Sequence, residues 1–298
     1  ERLREISLLR LVGLLAINSL ILFLSVKRWQ ILAQVFDIQL SLTHLFKVRQ
    51  AGNTISFVTP GPQFGGEPLQ LYWLRQSQEI PLDISLAILG ADRFMEIFIN
   101  LSILLLSVIF IFFTDIEVNI AKTFLLMFLT VAILTMLLVL FFKQPEWLKN
   151  IFKSLFSRFT HTVSNPNKSQ NASSGWGRLL KKIEKNKSKV ILAATIALLG
   201  WIALLLELFM MMEALGVSPN FYEIIFVMLG IRIALLMPVP GGVGTVEASL
   251  FWSFEILGLT LAGAGGLIAL SRLRDVIVLF IGIGCLSNLS KLSLQTKA

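Results

Sequence analysis

The stretch LLRLVGLLAINSLILFLSV, Leu8 to Val26, decides the class of fold. It is an almost unbroken apolar run in which Arg10 is the one charged residue. A helix needs about 20 mostly apolar residues to cross the hydrocarbon core of a bilayer. The run therefore predicts a membrane-spanning helix, and because no small-residue cleavage site follows it, we expect a retained span rather than a signal peptide.

The composition of the whole chain agrees with a membrane protein. Of the 298 residues, 55% are hydrophobic and only 15% are charged, and the mean hydropathy is +0.79. Soluble domains are about 25% charged, so a water-soluble globule is excluded as a class. The single cysteine, Cys285, and two distant histidines, His44 and His161, predict no disulfide framework, no metal and no cofactor.

The pattern of apolar runs predicts an all-α, polytopic membrane helix bundle with about six to eight transmembrane helices. It divides into a first membrane half, 1–142, a basic loop, 143–189, and a second membrane half, 190–298. Two segments are apolar but interrupted by Gly and Pro, at 52–74 and 238–257. The predicted spans lie near 8–26, 31–48, 84–113, 122–142, 190–212, 221–237 and 261–289. Polar residues interrupt the one at 31–48, which leaves open a short span or an interfacial helix.

The loop at 143–189 carries most of the excess positive charge. It holds eleven basic and two acidic residues, a net charge of +9 against +8 for the whole chain. Cytoplasmic loops are enriched in Lys and Arg, so the loop is predicted to be cytoplasmic. The basic residues before Leu8 favour an inside start as well. The net charge is therefore a signal of topology, and no nucleic acid partner is expected.

The two interrupted segments look like copies of each other. Pro60-Gly61-Pro62-Gln63-Phe64-Gly65-Gly66-Glu67 aligns with Pro240-Gly241-Gly242-Val243-Gly244-Thr245-Val246-Glu247, 180 residues later. Aromatic residues follow each copy, and about 25 residues after each Glu a charged cluster interrupts an apolar run. This order predicts an internal repeat, which occurs in many transporters as parallel or inverted halves. The sequence leaves both arrangements open.

Gly and Pro inside an apolar segment constrain its position. Backbone polar groups within a bilayer must be paired, so such a segment must be sheltered in protein or line a wet cavity. We expect re-entrant segments in which a helix begins just after the glycines, with free N–H groups suited to phosphate or carboxylate. Tight loops at the membrane interface are the alternative.

Charged residues inside the predicted spans are the second candidate feature. Arg93 and Glu96 share a helical face, as do Arg272 and Asp275, because each pair is three residues apart. A charge near the bilayer centre costs about 2.5–3.5 kcal/mol or more, so these residues need partners. They predict either structural ion pairs between helices or a charged cavity for an anionic headgroup. The candidate substrate-binding residues are Pro60, Gly61, Gly65, Gly66, Glu67, Arg93, Glu96, Arg232, Pro240, Gly241, Gly242, Gly244, Glu247, Arg272 and Asp275.

The two Pro-Gly-Glu segments resemble a known family. The chain is similar over nearly its whole length to the transmembrane, flippase-like region of lysylphosphatidylglycerol synthases, most specifically at Pro238 to Glu247. One departure is Gln70, where the family often has Arg, so another cation such as Arg75 or Arg93 is expected to contact phosphate here. The resemblance implies a multi-pass protein of a bacterial or archaeal inner membrane that moves or binds a polar lipid. No aminoacyl-transferase domain follows the last apolar run, so lipid aminoacylation by this chain is not expected.

These observations together favour a lipid flippase or lipid transporter that binds a phosphate-containing headgroup in an intramembrane charged cavity. The expected partners are membrane lipids with anionic or zwitterionic headgroups, and homo-oligomers are left open. One alternative is an intramembrane transferase acting on a polyprenyl-phosphate or phospholipid, with Glu67 or Glu247 as general base. Another is a non-catalytic accessory subunit whose basic loop recruits a partner.

Overall fold

The computed structural model describes residues 8–59, 65–76, 80–112, 132–133, 136 and 182–295, and these residues form helices and turns but no strand. The prediction of an all-α membrane bundle is confirmed. Three of the described helices are long and apolar enough to cross a membrane, at Leu8–Val35, Ile84–Phe110 and Lys187–Ala214. In chain order the helices are α1 (Leu8–Val35), α2 (Leu42–Val58), α3 (Glu67–Gln76), α4 (Leu82–Phe112), α5 (Lys187–Ala214), α6 (Phe221–Ala234), a 3-10 turn (Pro240–Gly242), α7 (Thr245–Ile256) and α8 (Leu261–Gln295).

The first helix is longer than the sequence indicates. Lys27, Arg28 and Trp29 do not close α1 after Val26, and the helix continues to Val35. Both Arg28 and Trp29 are buried there, because their partners lie on other helices of the bundle. The helix ends where Asp37 adopts a left-handed conformation, with φ of 63°.

The predicted span at 31–48 and the predicted broken segment at 52–74 are both wrong in their bounds. Residues 31–35 complete α1, and α2 begins at Leu42, where the Ser41 hydroxyl accepts a hydrogen bond from the His44 backbone N–H. Such N-caps satisfy one of the free N–H groups at a helix start. The helix then continues through Gly52 to Val58, so the irregular stretch between α2 and α3 is only 59–66.

The second membrane half departs less from its predicted bounds. Helices α5, α6 and α8 start within a few residues of the predicted spans, and within 238–257 only the stretch before Thr245 is irregular. The predicted span at 122–142 lies outside the described residues apart from three positions, and so does the loop at 143–189 up to 181. Residues 182–185 are helical and lead into α5.

The helices repeat along the chain. Those of the first half begin at Leu8, Leu42, Glu67 and Leu82, and those of the second half at Lys187, Phe221, Thr245 and Leu261. Each helix start in the second half follows its counterpart by 178 or 179 residues. The internal duplication expected from the Pro-Gly-Glu segments therefore extends to the helices around them.

The two halves are inverted with respect to each other. The Asn186 side chain donates to the Val35 carbonyl over 3.4 Å, and the Asn18 side chain donates to Glu207 over 2.8 Å. The start of α5 therefore lies beside the end of α1, and the two equivalent helices run antiparallel. Equivalent helices that are antiparallel require a pseudo-two-fold axis in the membrane plane, the inverted-topology repeat of many transporters.

Contacts between the other helices agree with this symmetry. The Lys47 ammonium donates to Asn288 over 3.0 Å, which sets the start of α2 beside the end of α8. The equivalent pair of helices is α6 and α4. There the rings of Phe110, at the end of α4, and Phe221, at the start of α6, are 5.7 Å apart. One face of the bundle therefore carries the end of α1 and the starts of α2 and α5, and the opposite face carries the start of α1.

The face that carries the end of α1 and the starts of α2 and α5 is rich in lysine, and we call it the basic face. It carries Lys182, Lys185, Lys187 and Lys189, and the Lys182 ammonium pairs with Asp37 over 2.7 Å. That hydrogen bond and the positive charge of Lys182 lower the pKa of Asp37. The opposite face, called the acidic face, carries Glu213 and Glu223, together with Arg10 in the first turn of α1, in the described part of the chain.

Large apolar side chains cover the outside of the bundle. Leu9 is 81% exposed, Phe280 is 69% exposed and Ile191 is 65% exposed. In a soluble protein such side chains form aggregation-prone patches, whereas in a bilayer they contact lipid tails. The interior contains fully buried aromatic residues in both halves, among them Trp29 and Phe254.

Candidate functional site

The first Pro-Gly-Glu segment leads into a helix whose first residue is Glu67. One carboxylate oxygen of Glu67, Oε2, accepts a hydrogen bond from the Gly65 backbone N–H over 2.7 Å. The other oxygen, Oε1, lies 3.1 Å from Nε of Arg93 on α4. Pro60 and Gly61, also predicted as site residues, lie outside the described residues.

The second segment builds the same arrangement at Glu247. Its Oε2 accepts a hydrogen bond from the Gly244 backbone N–H over 2.7 Å, and its Oε1 lies 2.6 Å from Nη2 of Arg272 on α8. Gly244 has a φ of 87°, a left-handed conformation that favours glycine. Each short helix thus begins with its own carboxylate on a glycine N–H. Both hydrogen bonds use the N–H of a glycine that precedes the helix, so a phosphate site on the N–H groups of the first turn stays a prediction.

A third charge completes each arrangement. Arg93 Nη1 is 3.0 Å from Glu96 Oε2, and Arg272 Nη1 is 3.3 Å from Asp275 Oδ2. Both contacts join residues one helical turn apart on the same face, as the spacing predicts. Six predicted residues, three from each half, are therefore brought together as two equivalent carboxylate–arginine–carboxylate triads.

The first half holds a buried pair of arginines that the sequence analysis missed. Asp92, only 1% exposed, accepts from Arg28 of α1 over 2.7 Å and from Arg49 of α2 over 2.8 Å. The Arg49 guanidinium also lies 5.7 Å from the centroid of the Trp29 ring. Removing one member of a buried ion pair leaves an uncompensated charge, so these contacts join α1, α2 and α4 firmly. The first-half cluster comprises Arg28, Arg49, Glu67, Asp92, Arg93 and Glu96.

The second half has a different set of supporting contacts. Arg274 lies 3.1 Å from Glu207 of α5 and 2.9 Å from Asp275. Arg272 also donates to the Gly241 carbonyl over 3.0 Å and to the Gly242 carbonyl over 3.3 Å, so it ties the 3-10 turn to α8. The second-half cluster comprises Glu207, Glu247, Arg272, Arg274 and Asp275 and carries a formal charge of −1.

Glycines allow the short helices to approach their neighbours closely. A Cβ on Gly66 would overlap the carbonyl of Gly52 on α2, and a Cβ on Gly52 would overlap the side chain of Gln70 on α3. The ring of Phe57, near the end of α2, packs directly against Gly241. The second broken segment, with Pro240, therefore lies against the end of the helix that leads into the first one.

Gln70, the departure from the family pattern, is 2% exposed. Its Nε2 lies 3.5 Å from the Arg49 carbonyl, so its amide approaches the backbone of the residue that pairs with Asp92. Arg93, one of the cations expected to substitute for the missing Arg, is already paired with Glu67 and Glu96.

Arg232 differs from the arginines of both clusters. Its guanidinium lies 4.4 Å from the centroid of the Trp201 ring, while its Nε is buried without a hydrogen-bond partner. No carboxylate of the described residues pairs with it within ion-pair distance. It lies within electrostatic range of Glu96 in the first-half cluster and of Glu207 and Arg274 in the second-half cluster.

The two clusters lie at different depths. Arg28 is two helical turns, about 10 Å, from the end of α1 at the basic face. Glu207 is two turns, about 10 Å, from the end of α5 at the acidic face. Since α1 and α5 are antiparallel neighbours, the clusters are separated by about 20 Å along the bundle. Within the described residues, no group of His, Cys, Asp and Glu is arranged to hold a metal ion.

Comparison with known proteins gives two matches and one negative result. The family described as "Lysylphosphatidylglycerol synthase TM region" matches residues 1–282. A "UPF0104 membrane protein" of Methanothermobacter thermautotrophicus is 20% identical over 270 residues, covering 87% of this chain and 79% of that protein. No solved structure matches the chain significantly.

Proposed function

The chain belongs to the family of the lysylphosphatidylglycerol synthase transmembrane region, and we propose from its intramembrane charges that it moves polar membrane lipids between leaflets. The headgroup would pass through the charged interior while the acyl chains stay in the bilayer. Proteins of this kind need a polar path across the hydrocarbon core, because an isolated charge is costly there.

The observation that carries the proposal is the repeated glutamate–arginine pair. Glu67 with Arg93 and Glu247 with Arg272 join equivalent residues of the two inverted halves, with N–O distances of 3.1 Å and 2.6 Å. The duplication thus places the same charged pair at two depths of the membrane. Inverted repeats with polar groups at interrupted helices are the architecture of many secondary transporters, in which the two halves alternate in opening.

The path of the chain supports re-entrant segments. Gly66 N–H donates to the Ser56 hydroxyl and Gln70 lies against Gly52, so α3 runs back antiparallel to α2. In the second half Gly230 of α6 lies against Ser249 and Ser253 of α7, which gives the same hairpin. Each hairpin would enter the membrane from one face and return to it.

The equivalent triads of the two halves are similarly exposed. The side chains of Arg93 and Glu67 are 17% and 22% exposed, and those of Arg272 and Glu247 are 26% and 25% exposed. The proposed alternation between the halves therefore rests on their inverted arrangement. In the proposed cycle a headgroup phosphate competes with Glu247 for Arg272, and later with Glu67 for Arg93.

The orientation follows from the charges of the two faces. We propose that the basic face is cytoplasmic, as the positive-inside rule requires, with the acidic face outside the cell membrane. The loop at 143–189 is then cytoplasmic as predicted. The inside start expected from the first basic residues would not hold, since Leu8 begins α1 at the acidic face.

We propose transport rather than catalysis. Glu67 and Glu247, the candidate general bases of an intramembrane transferase, are each engaged by an arginine and a glycine N–H. Each glutamate would have to leave both partners before it could take a proton from a substrate. Transport would be passive or coupled to an ion gradient.

The test is lipid movement by the purified protein in vesicles. Fluorescent phosphatidylglycerol, phosphatidylethanolamine and a neutral glycolipid are placed in both leaflets, and the outer-leaflet label is quenched chemically. The wild-type protein should make the inner-leaflet phospholipid accessible. Glu67→Gln, Glu247→Gln, Arg93→Ala and Arg272→Ala should reduce this rate, while Glu184→Gln on the exposed surface should not.

Two results would overturn the proposal. Wild-type vesicles that show no movement of any native polar lipid would contradict it, as would a chemically altered lipid product, which would indicate a transferase. Unchanged rates in all four cluster variants would remove the site assignment.

A further inference from the structure

We propose that Arg232 and Trp201 form a site at mid-membrane that holds the phosphodiester of a lipid headgroup. The inference rests on the proposed function and names the group that the lipid would meet between the two clusters.

The first observation is the chemical state of Arg232. Arg28, Arg49, Arg93, Arg272 and Arg274 each have a carboxylate partner. Arg232 has none among the described residues, and its buried Nε, like that of Arg93, donates no hydrogen bond. An intramembrane arginine without a partner has five N–H donors to satisfy, and a tetrahedral phosphate can accept two of them side by side.

The second observation is the depth of the residue. Trp201 lies close to the middle of the 28-residue α5, and the Arg232 guanidinium lies on its ring. Arg28 lies at the depth of the first two turns of α5, and Glu207 lies about 9 Å further along α5 than Trp201. Arg232 is therefore close to the membrane midplane, where transporters of inverted topology bind their substrates.

The third observation is the charge of the surroundings. The second-half cluster has a formal charge of −1, and Arg232 offsets it without being paired to any one of its members. Glu96 and Glu207 attract Arg232 while Arg274 repels it. A phosphate bound at Arg232 would give this arginine a direct anionic partner in place of these distant interactions. The arginine is also partly exposed, so a ligand has access to it.

Trp201 explains why the site suits an arginine. The guanidinium lies 4.4 Å from the centroid of the Trp201 ring, within cation–π range, and a guanidinium is weakly hydrated compared with an ammonium. Lysine would keep the charge but lose both the stacking and the two-point contact with phosphate.

The experiment measures binding, not movement. Purified protein in detergent is titrated with short-chain phosphatidylglycerol, with a diacylglycerol of the same chain length, and with inorganic phosphate, and the shift in Tm is recorded. The wild type should be stabilised by phosphatidylglycerol and not by the diacylglycerol. Arg232→Gln should weaken that binding at least about ten-fold, the loss expected for a charge-assisted hydrogen-bonded contact.

Two further variants keep the test decisive. Lys187→Gln removes an exposed lysine of the basic face and should bind phosphatidylglycerol as the wild type does. Arg232→Lys should bind several-fold more weakly than the wild type, and it serves as the test variant if Arg232→Gln does not fold. Equal stabilisation by inorganic phosphate would assign the site to free anions and overturn the lipid headgroup as its ligand.

The failure of this inference is distinct from the failure of the proposed function. If wild-type vesicles move lipid but Arg232→Gln and Arg232→Lys bind phosphatidylglycerol unchanged, the midplane site is wrong and lipid movement stands. If Arg232 determines binding but wild-type vesicles move no lipid, the site stands and the transport proposal is wrong.

Discussion

Arg28 and Glu207 occupy equivalent positions in the two halves, 179 residues apart on α1 and α5, and carry opposite charges. Each finds its counter-charge on the long fourth helix described for its own half. Arg28 pairs with Asp92 of α4 over 2.7 Å, and Glu207 pairs with Arg274 of α8 over 3.1 Å. The repeat therefore keeps the position of the ion pair and exchanges the signs of its members.

This ion pair predicts that substitutions of Glu207 and Arg274 have coupled effects on the free energy of unfolding. Glu207→Gln should destabilise the protein, because Arg274 loses one of its two carboxylate partners while Glu207 itself is only 3% exposed. Adding Arg274→Gln should cost less than the sum of the two single changes. A double-mutant cycle on unfolding in denaturing detergent measures this, and strictly additive effects would contradict the pairing.

Asp92 should be the more sensitive carboxylate of the first half. Asp92→Asn leaves Arg28 and Arg49 buried with only the longer contacts to Glu96, at 3.4 Å and 3.7 Å. Breaking a buried pair of this kind costs about 3–5 kcal/mol. Asp275→Asn is the matched control: it is partly exposed, and its arginines keep Glu247 and Glu207, so we expect about 1 kcal/mol or less. Equal losses of unfolding free energy would show that Asp92 has no special structural role.

Gly66 should not tolerate a side chain. Gly66→Ala would place a Cβ against the Gly52 carbonyl and force α3 away from α2, at a cost of about 2 kcal/mol or more. Gly200→Ala on α5 provides the control, because nothing lies within 4 Å of its Cβ position. Alanine there should be neutral or slightly stabilising, since glycine weakens a helix interior by about 0.5–1 kcal/mol. Thermal unfolding of both variants checks the prediction, which fails if they unfold alike.

The orientation of the bundle can be tested with single cysteines. In a Cys285→Ser background, Lys185→Cys lies at the basic face and Glu213→Cys lies near the acidic face. A membrane-impermeant thiol reagent applied to intact cells should label only Glu213→Cys, and both should react after the cells are opened. The reverse pattern would place the basic face outside and would also contradict the assignment of the loop at 143–189.

Sequence alone predicted the class of fold and much of the candidate site. Long apolar runs can be read locally, and a residue pair such as Arg93 and Glu96 shares a helical face by its spacing. The duplication was visible because Pro, Gly and Glu recur at fixed distances. These features depend on neighbours in the chain, which is why they were accessible.

Arg28 and Arg49 were missed because their meaning depends on distant residues. Lys27-Arg28-Trp29 follows 19 mostly apolar residues and resembles the end of a span, but Asp92 provides a partner 64 residues away and the helix continues. Arg49 falls between the predicted span at 31–48 and the interrupted segment at 52–74, so no predicted span included it. Their signal was the presence of Asp92 in an apolar run with no cation nearby on its own face. The sequence also left the parallel and inverted arrangements open, and the contacts between α1 and α5 were needed to distinguish them.

The antiparallel contact between α1 and α5 has a consequence for biosynthesis. At about 5–20 residues per second, the ribosome needs many seconds to make the chain between Val35 and Lys187. Throughout this interval α1 is in the bilayer without the helix that later covers its Asn18 and Gly13. Arg28 meets Asp92 much earlier, so the first half neutralises its most costly charge on its own. We therefore expect assembly in the membrane to proceed by halves, with α1 providing the surface against which α5 packs.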